Sequence, residues 1–184
     1  IENNLHKKSF IFGILIKRGN DYVENLPPKV RGANLLSLRG DHSVVGDLKE
    51  VTERNLLLES IYPHYIKYRR VPTSWVWSCV AEKTDTVVVT KAIVMKEYLS
   101  GGMTDNILLL KSLYPEPLVD LYRSLFKSRR YRSRVYRWRS AILLVRYSLH
   151  ARSPEFSHPM LAIAFFPAVL VFFYDVYRLK KREH

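Results

Sequence analysis

Cysteine is almost missing from this sequence: Cys79 stands alone among 184 residues. A single thiol excludes an intramolecular disulfide framework and any multi-cysteine zinc site. No Asn-x-Ser/Thr sequon occurs, so the chain carries no mark of secretion. Glycine is scarce, at 7 residues, and none falls in a phosphate-binding glycine motif; Gly101-Gly102 reads as a turn. The early apolar run, Phe10 to Ile16, is far too short to span a bilayer and reads as a strand or a small packing element. Acidic residues are absent from the whole of Leu121 to Pro154.

That last absence matters because the same stretch holds Arg123, Lys127, Arg129, Arg130, Arg132, Arg134, Arg137, Arg139, Arg146 and Arg152. The formal net charge is +13, and the rest of the chain is nearly balanced. The excess therefore implies a negatively charged partner: a phosphate backbone, anionic lipid headgroups or an acidic protein face. With 47% hydrophobic and 26% charged residues, the composition is that of a folded protein. Ile rather than Met opens the sequence; if a leader was cleaved from it, import into an organelle is the natural explanation.

Organisation follows from punctuation and period. Residues 1–46 read as an extended N-terminal segment, since Gly, Asn and the pair Pro27-Pro28 crowd the stretch from Gly19 to Gly46. Residues 47–115 read as a small α+β region. Asp47 caps a predicted helix over about 47–61, ended by Pro63. Two runs rich in Trp, Val and Thr, separated by Glu82-Lys83-Thr84-Asp85, predict a β-hairpin over 73–94 with Trp75, Trp77 and Cys79 on one face. A short helix carrying Ile107, Leu108, Leu110 and Leu113 follows.

Pro117 suits the first turn of a helix, and steps of three and four then link Leu118, Leu121 and Leu125 to Tyr131, Val135, Trp138, Ile142, Val145 and Leu149. This predicts one basic amphipathic helix over 117–152, with a three-residue step in its stripe at Ser128. From Pro159 to Tyr174 the chain reads PMLAIAFFPAVLVFFY without a charge. Nineteen helical residues from Pro159 cover about 28 Å, close to a bilayer core of about 30 Å. A transmembrane helix over 156–178 is the expectation, followed by a basic tail over 179–184. The fold class is thus mainly α with a β-hairpin, an extended N-terminal arm, a long basic amphipathic helix and one C-terminal transmembrane helix.

The candidate site is a contact surface. Arg129, Arg130, Arg132, Arg134, Arg137, Arg139 and Arg146, with Lys180, Lys181 and Arg182 of the tail, are candidates to meet anionic lipid or phosphate. Trp138, Tyr174 and Tyr177 are candidates for the membrane interface. Arginine interleaved with Tyr131, Tyr136, Trp138 and Tyr147 would also suit RNA. Direct linkage to the apolar segment favours lipid.

Other motifs carry little chemistry. Asp41-His42-Ser43 has the residue types of a hydrolase triad, but consecutive side chains point apart. Arg39-Gly40-Asp41 is a chance-level tripeptide. His150, Glu155 and His158 do not have metal-ligand spacing, and Cys79 reads as a small buried residue. No cofactor is expected. The functional expectation is a non-catalytic accessory subunit of a mitochondrial inner-membrane complex, such as a respiratory complex or ATP synthase. Its partners would be neighbouring subunits and an anionic lipid such as cardiolipin. The rival expectation is a mitochondrial ribosomal protein whose arginine-rich helix binds ribosomal RNA.

Overall fold

A computed structural model describes residues 9–18, 21–24, 34–44, 47–64, 67–68, 70–96 and 107–181. The described residues are mostly helical, with seven helices and a four-stranded sheet. The chain divides into two units: residues 1–61, 73–99 and 129–133 in the first, and 62–72, 100–128 and 134–184 in the second.

The first unit is built on strand β1, Ser9–Arg18, which contains the apolar run read from the sequence. Strand β4, Val87–Lys96, pairs parallel along Phe10 to Ile16, with a register shift at Gly13. Glycine is the residue expected where a strand is interrupted in this way. The opposite edge of β1 is shared end to end. Strand β3, Lys49–Thr52, takes Ser9 to Phe12, and strand β2, Asp21–Glu24, takes Leu15 to Arg18, both antiparallel. Helix α1, Leu35–Gly40, begins at Asn34, whose side chain accepts the Ser37 N–H (3.0 Å) and donates to the Ala81 carbonyl (3.2 Å). One buried side chain thus caps one helix and ties it to another.

Three expectations are corrected here. The predicted hairpin over 73–94 does not form: its first half is helix α3, Thr73–Lys83, and its second half is β4, paired with β1. Trp, Val and Thr favour strands because they suit a half-buried pleated surface, and α3 meets the same need with Ser78, Val80 and Ala81 buried. The helix over 47–61 reduces to α2, Arg54–Leu58, since the residues before it join the sheet as β3. The N-terminal arm is likewise structured as β1, β2 and α1; the remainder of that prediction, including Pro27-Pro28, lies outside the described residues.

The long basic helix is two helices: α5, Glu116–Lys127, and α6, Arg134–His150. The break falls where the stripe stepped by three. Ser128 turns to an extended backbone (φ −58°, ψ 142°), and residues 129–133 belong to the first unit. There Arg130 donates to the Glu82 carbonyl (2.7 Å) at the end of α3 and reaches Asp85 (3.1 Å). The Asp41 carboxylate accepts the N–H groups of Arg132 and Ser133, each at 2.8 Å. Tyr131 is buried against Gly40. A continuous helix would forfeit all of these bonds, so tertiary partners replace helical ones.

The second unit contains helix α4, Ile107–Leu113, with α5, α6 and helix α7, Pro159–Lys180. Arg137 donates to the Ser128 carbonyl (3.0 Å), and Tyr122 stacks on Tyr147 with centroids 5.6 Å apart, so α5 and α6 run antiparallel. The connection then doubles back: Glu155 accepts from Arg123 (2.9 Å) and His158 packs on Phe126. Since α7 starts beside the end of α5 and its Phe172 reaches His150, it runs in the same direction as α6.

Gly40 supplies a test of the first unit. A Cβ built there would lie 2.9 Å from Tyr131 Cβ and 3.0 Å from its Cγ. In an open helix Gly→Ala stabilises by about 1 kcal/mol. Here overpacking should dominate, and Gly40→Ala should destabilise by about 1–3 kcal/mol in thermal or denaturant unfolding. A rise in stability would show that Tyr131 does not rest on this helix.

Candidate functional site

Helix α7 has two unlike faces. His158 Nδ1 accepts the Met160 N–H (3.1 Å) at its start, and Pro159 occupies the first turn, where its missing N–H costs nothing. Leu161, Ala164, Ala168 and Asp175 line the inner face and are buried. The outer face carries Ile163, Phe166, Leu170, Phe173, Tyr174 and Tyr177, each between 57% and 75% exposed. Steps of three and four, with Phe173 and Tyr174 adjacent, keep all six within about 100° of arc on one side of the helix. The small Ala164 and Ala168 allow the neighbouring backbone to approach closely. Among the described residues α7 is the one helix long and apolar enough to cross a membrane, with a mean hydropathy of 2.0 over its best window.

The charge on the inner face is met within the second unit. Arg146 of α6 binds Asp175 in a two-pronged pair, Nε to Oδ2 at 2.7 Å and Nη2 to Oδ1 at 2.6 Å. His150 Nε2 lies 3.2 Å from Oδ2. Only 3% of the Asp175 side chain is exposed, with 15% of Arg146 and 7% of His150. The Arg146 guanidinium also lies over the Tyr147 ring (5.1 Å). Burial and the neighbouring Tyr147 push the Tyr122 phenol up to about 12, so it holds its proton at neutral pH.

The structure divides the predicted arginine set. Arg129 and Arg132 are exposed in the first unit, Arg134 and Arg139 in the second. Arg130, Arg137 and Arg146 are half-buried and donate to Glu82 and Asp85, to Ser128, and to Asp175 respectively. Lys180 and Lys181 are exposed at the end of α7, and Arg182 lies outside the described residues. Tyr174 and Tyr177 sit on the outer face of α7, whereas Trp138 is half-buried on α6. The stripe read across the break is also reset: Val135 is 78% exposed, and α6 buries Ser140, Ala141, Leu144, Val145, Tyr147 and Ser148.

Asp41 caps the segment before α6, His42 and Ser43 are exposed, and Arg39 and Gly40 belong to α1 with Arg39 donating to the Val44 carbonyl (2.9 Å). Burial pushes the Cys79 thiol up despite Lys83 one turn along, which leaves it protonated at neutral pH. His150, Glu155 and His158 go to separate partners, and among the described residues no three His, Cys, Asp or Glu side chains gather as a metal site.

Sequence reasoning missed Arg146–Asp175. The signal was present, because Asp175 is the one acid at the edge of the apolar run and a buried acid needs a cation. Nothing in the sequence separates its partner, Arg146, from the arginines that face outward.

No protein-family model matches this chain, and neither a curated protein nor a solved structure shows significant similarity to it.

The buried pair has an asymmetric signature. Asp175→Asn should destabilise the second unit by about 3–5 kcal/mol, because Arg146 is left buried without its counter-charge. The double substitution Arg146→Met with Asp175→Leu should recover much of that loss. Equal destabilisation by the single and double variants in chemical unfolding would contradict the pairing.

Proposed function

We propose that this protein is a non-catalytic accessory subunit of a mitochondrial inner-membrane complex of the respiratory or ATP synthase kind, seated in lipid through α7. The observation that carries the reading is the row of six large apolar side chains on the outer face of α7, all more than half exposed. A contiguous apolar strip of this length marks a contact with lipid or another subunit. At 22 residues, α7 extends about 33 Å, enough to span a bilayer core of about 30 Å.

Several features support lipid as the apolar phase. Tyr174 and Tyr177 lie at one end of the strip, and the exposed Arg178, Lys180 and Lys181 follow, an order suited to the passage from acyl chains to headgroups. Asp175 falls at that same end and is compensated by Arg146 and His150, so the inner face brings no unpaired charge to the contact. Arg129, Arg132, Arg134 and Arg139, all exposed, offer contacts to acidic subunits or anionic lipid such as cardiolipin. The mitochondrial setting rests on the net charge of +13 and the lone cysteine.

Alkaline carbonate extraction of mitochondrial membranes should leave the protein in the pellet. Phe166→Arg with Leu170→Arg, on the outer face, should release it, since each charge near the centre of a span costs about 2.5–3.5 kcal/mol. Leu58→Arg, on an exposed position of α2, should have no such effect. Release of the native protein by carbonate, or its co-purification with an RNA-containing particle, would replace this reading with the ribosomal one.

A further inference from the structure

We propose that helix α4 is a second lipid contact of this protein, lying in the boundary layer between acyl chains and headgroups with Leu109 and Leu113 turned into the bilayer beside the C-terminal end of α7. The proposal rests on the reading of α7 as the lipid-seated helix, and it names the element that meets the membrane surface together with it.

The amphipathic pattern of α4 is inverted for a helix in water. Its residues are four leucines, an isoleucine, Lys111 and Ser112. Against water the lysine would point out and the leucines in. Here Leu109 and Leu113, one turn apart on the same face, are 41% and 59% exposed, whereas Lys111 is half-buried. At about 100° per residue, Lys111 lies about 160° round the helix from either leucine. None of the apolar side chains of α4 is buried. Ser112 donates its hydroxyl to the Leu108 carbonyl (3.0 Å), so that group needs no water. The neighbouring α7 shows the same inversion, with Asp175 turned inward and Phe166, Leu170 and Phe173 turned outward. Two packed helices that both hide their charge and display their leucines share an apolar surrounding.

Connectivity sets where along α7 this surface lies. Helix α4 packs on α7, and Tyr114 and Pro115 join it to α5. Since α5 and α6 are antiparallel, α5 starts at the end of the bundle where α6 finishes. There α6 meets Phe172 and Asp175 of α7. The leucines of α4 therefore continue the exposed strip of α7 at its Tyr174 and Tyr177 end, where Arg178, Lys180 and Lys181 follow. Seven helical residues cover about 10 Å, too short to cross a bilayer but suited to a boundary layer about 5–10 Å deep. An anionic bilayer meets both chemistries at once, acyl chains against the leucines and headgroup phosphates against the adjoining cations.

The test places a nitrobenzoxadiazole label at Leu109→Cys or Leu113→Cys of the full chain, with Cys79→Ser so that one thiol reacts, in vesicles of phosphatidylcholine and cardiolipin. Labels at Leu170→Cys, on the outer face of α7, and at Leu58→Cys, exposed on α2, are the references. The labels at 109 and 113 should shift to shorter wavelength, lose their quenching by aqueous iodide and be quenched most by lipid spin-labelled near the glycerol. The label at 170 should be quenched most by lipid spin-labelled deep in the acyl chain, and that at 58 by iodide alone. Two sites on one face guard against a label that disturbs the helix. If iodide reaches 109 and 113 but not 170, the proposal fails and the reading of α7 stands. If iodide reaches all of these positions, both fail. Labels at 109 and 113 that neither iodide nor lipid quenches would place protein on this face and overturn the proposal, as would strongest quenching of them by the deep spin label.

Discussion

The carboxylate of Asp175 is the constraint on which the second unit turns. It is an acid near the end of an otherwise apolar helix, and its burial is tolerable only because Arg146 clasps both oxygens and His150 approaches one. That demand fixes which side of α7 faces α6. Once Asp175 is turned inward, Leu161, Ala164 and Ala168 follow it by helical geometry, and Phe166, Leu170 and Phe173 are left outside. The exposed apolar strip is thus a consequence of where one charge had to go.

The same logic of placing charge governs the basic stretch. A continuous helix carrying six arginines within residues 129–139 would concentrate repulsion with no acid at helical spacing. The chain instead leaves the helix at Ser128, and Arg130 moves to the carbonyl end of α3, where helix carbonyls and Asp85 welcome a cation. Asp41 takes the two backbone N–H groups that the interruption frees. Part of what looked like a surface for external anions is therefore consumed in joining one element to another within each unit.

In the second unit, too, cations are spent on internal acceptors: Arg123 on Glu155, Arg137 on the Ser128 carbonyl and Arg146 on Asp175. Charge balance within a fold is a local quantity, and the net +13 of the chain does not reveal where it fails.

By itself the sequence determined the strongly patterned or strongly apolar elements, the helix from Ile107 to Leu113 and α7 with its start at Pro159, and it marked Phe10 to Ile16 as a strand or a small packing element, which the structure makes part of β1. Each is decided within its own residues, by a charge-free run or by proline, so no distant partner is needed to specify it. The tertiary structure decided the rest. Thr73–Lys83 became a helix because burial of Val80 and Ala81 outweighed the strand preference of Trp and Val. The basic helix divided because Tyr131, Arg130 and Asp41 found partners more than forty residues away in every case. The face of α7 left open was chosen by Asp175 and Arg146, which are 29 residues apart. Local pattern carries information about period and length, whereas the pairing of a buried charge or a freed backbone donor is settled only when remote residues share one space.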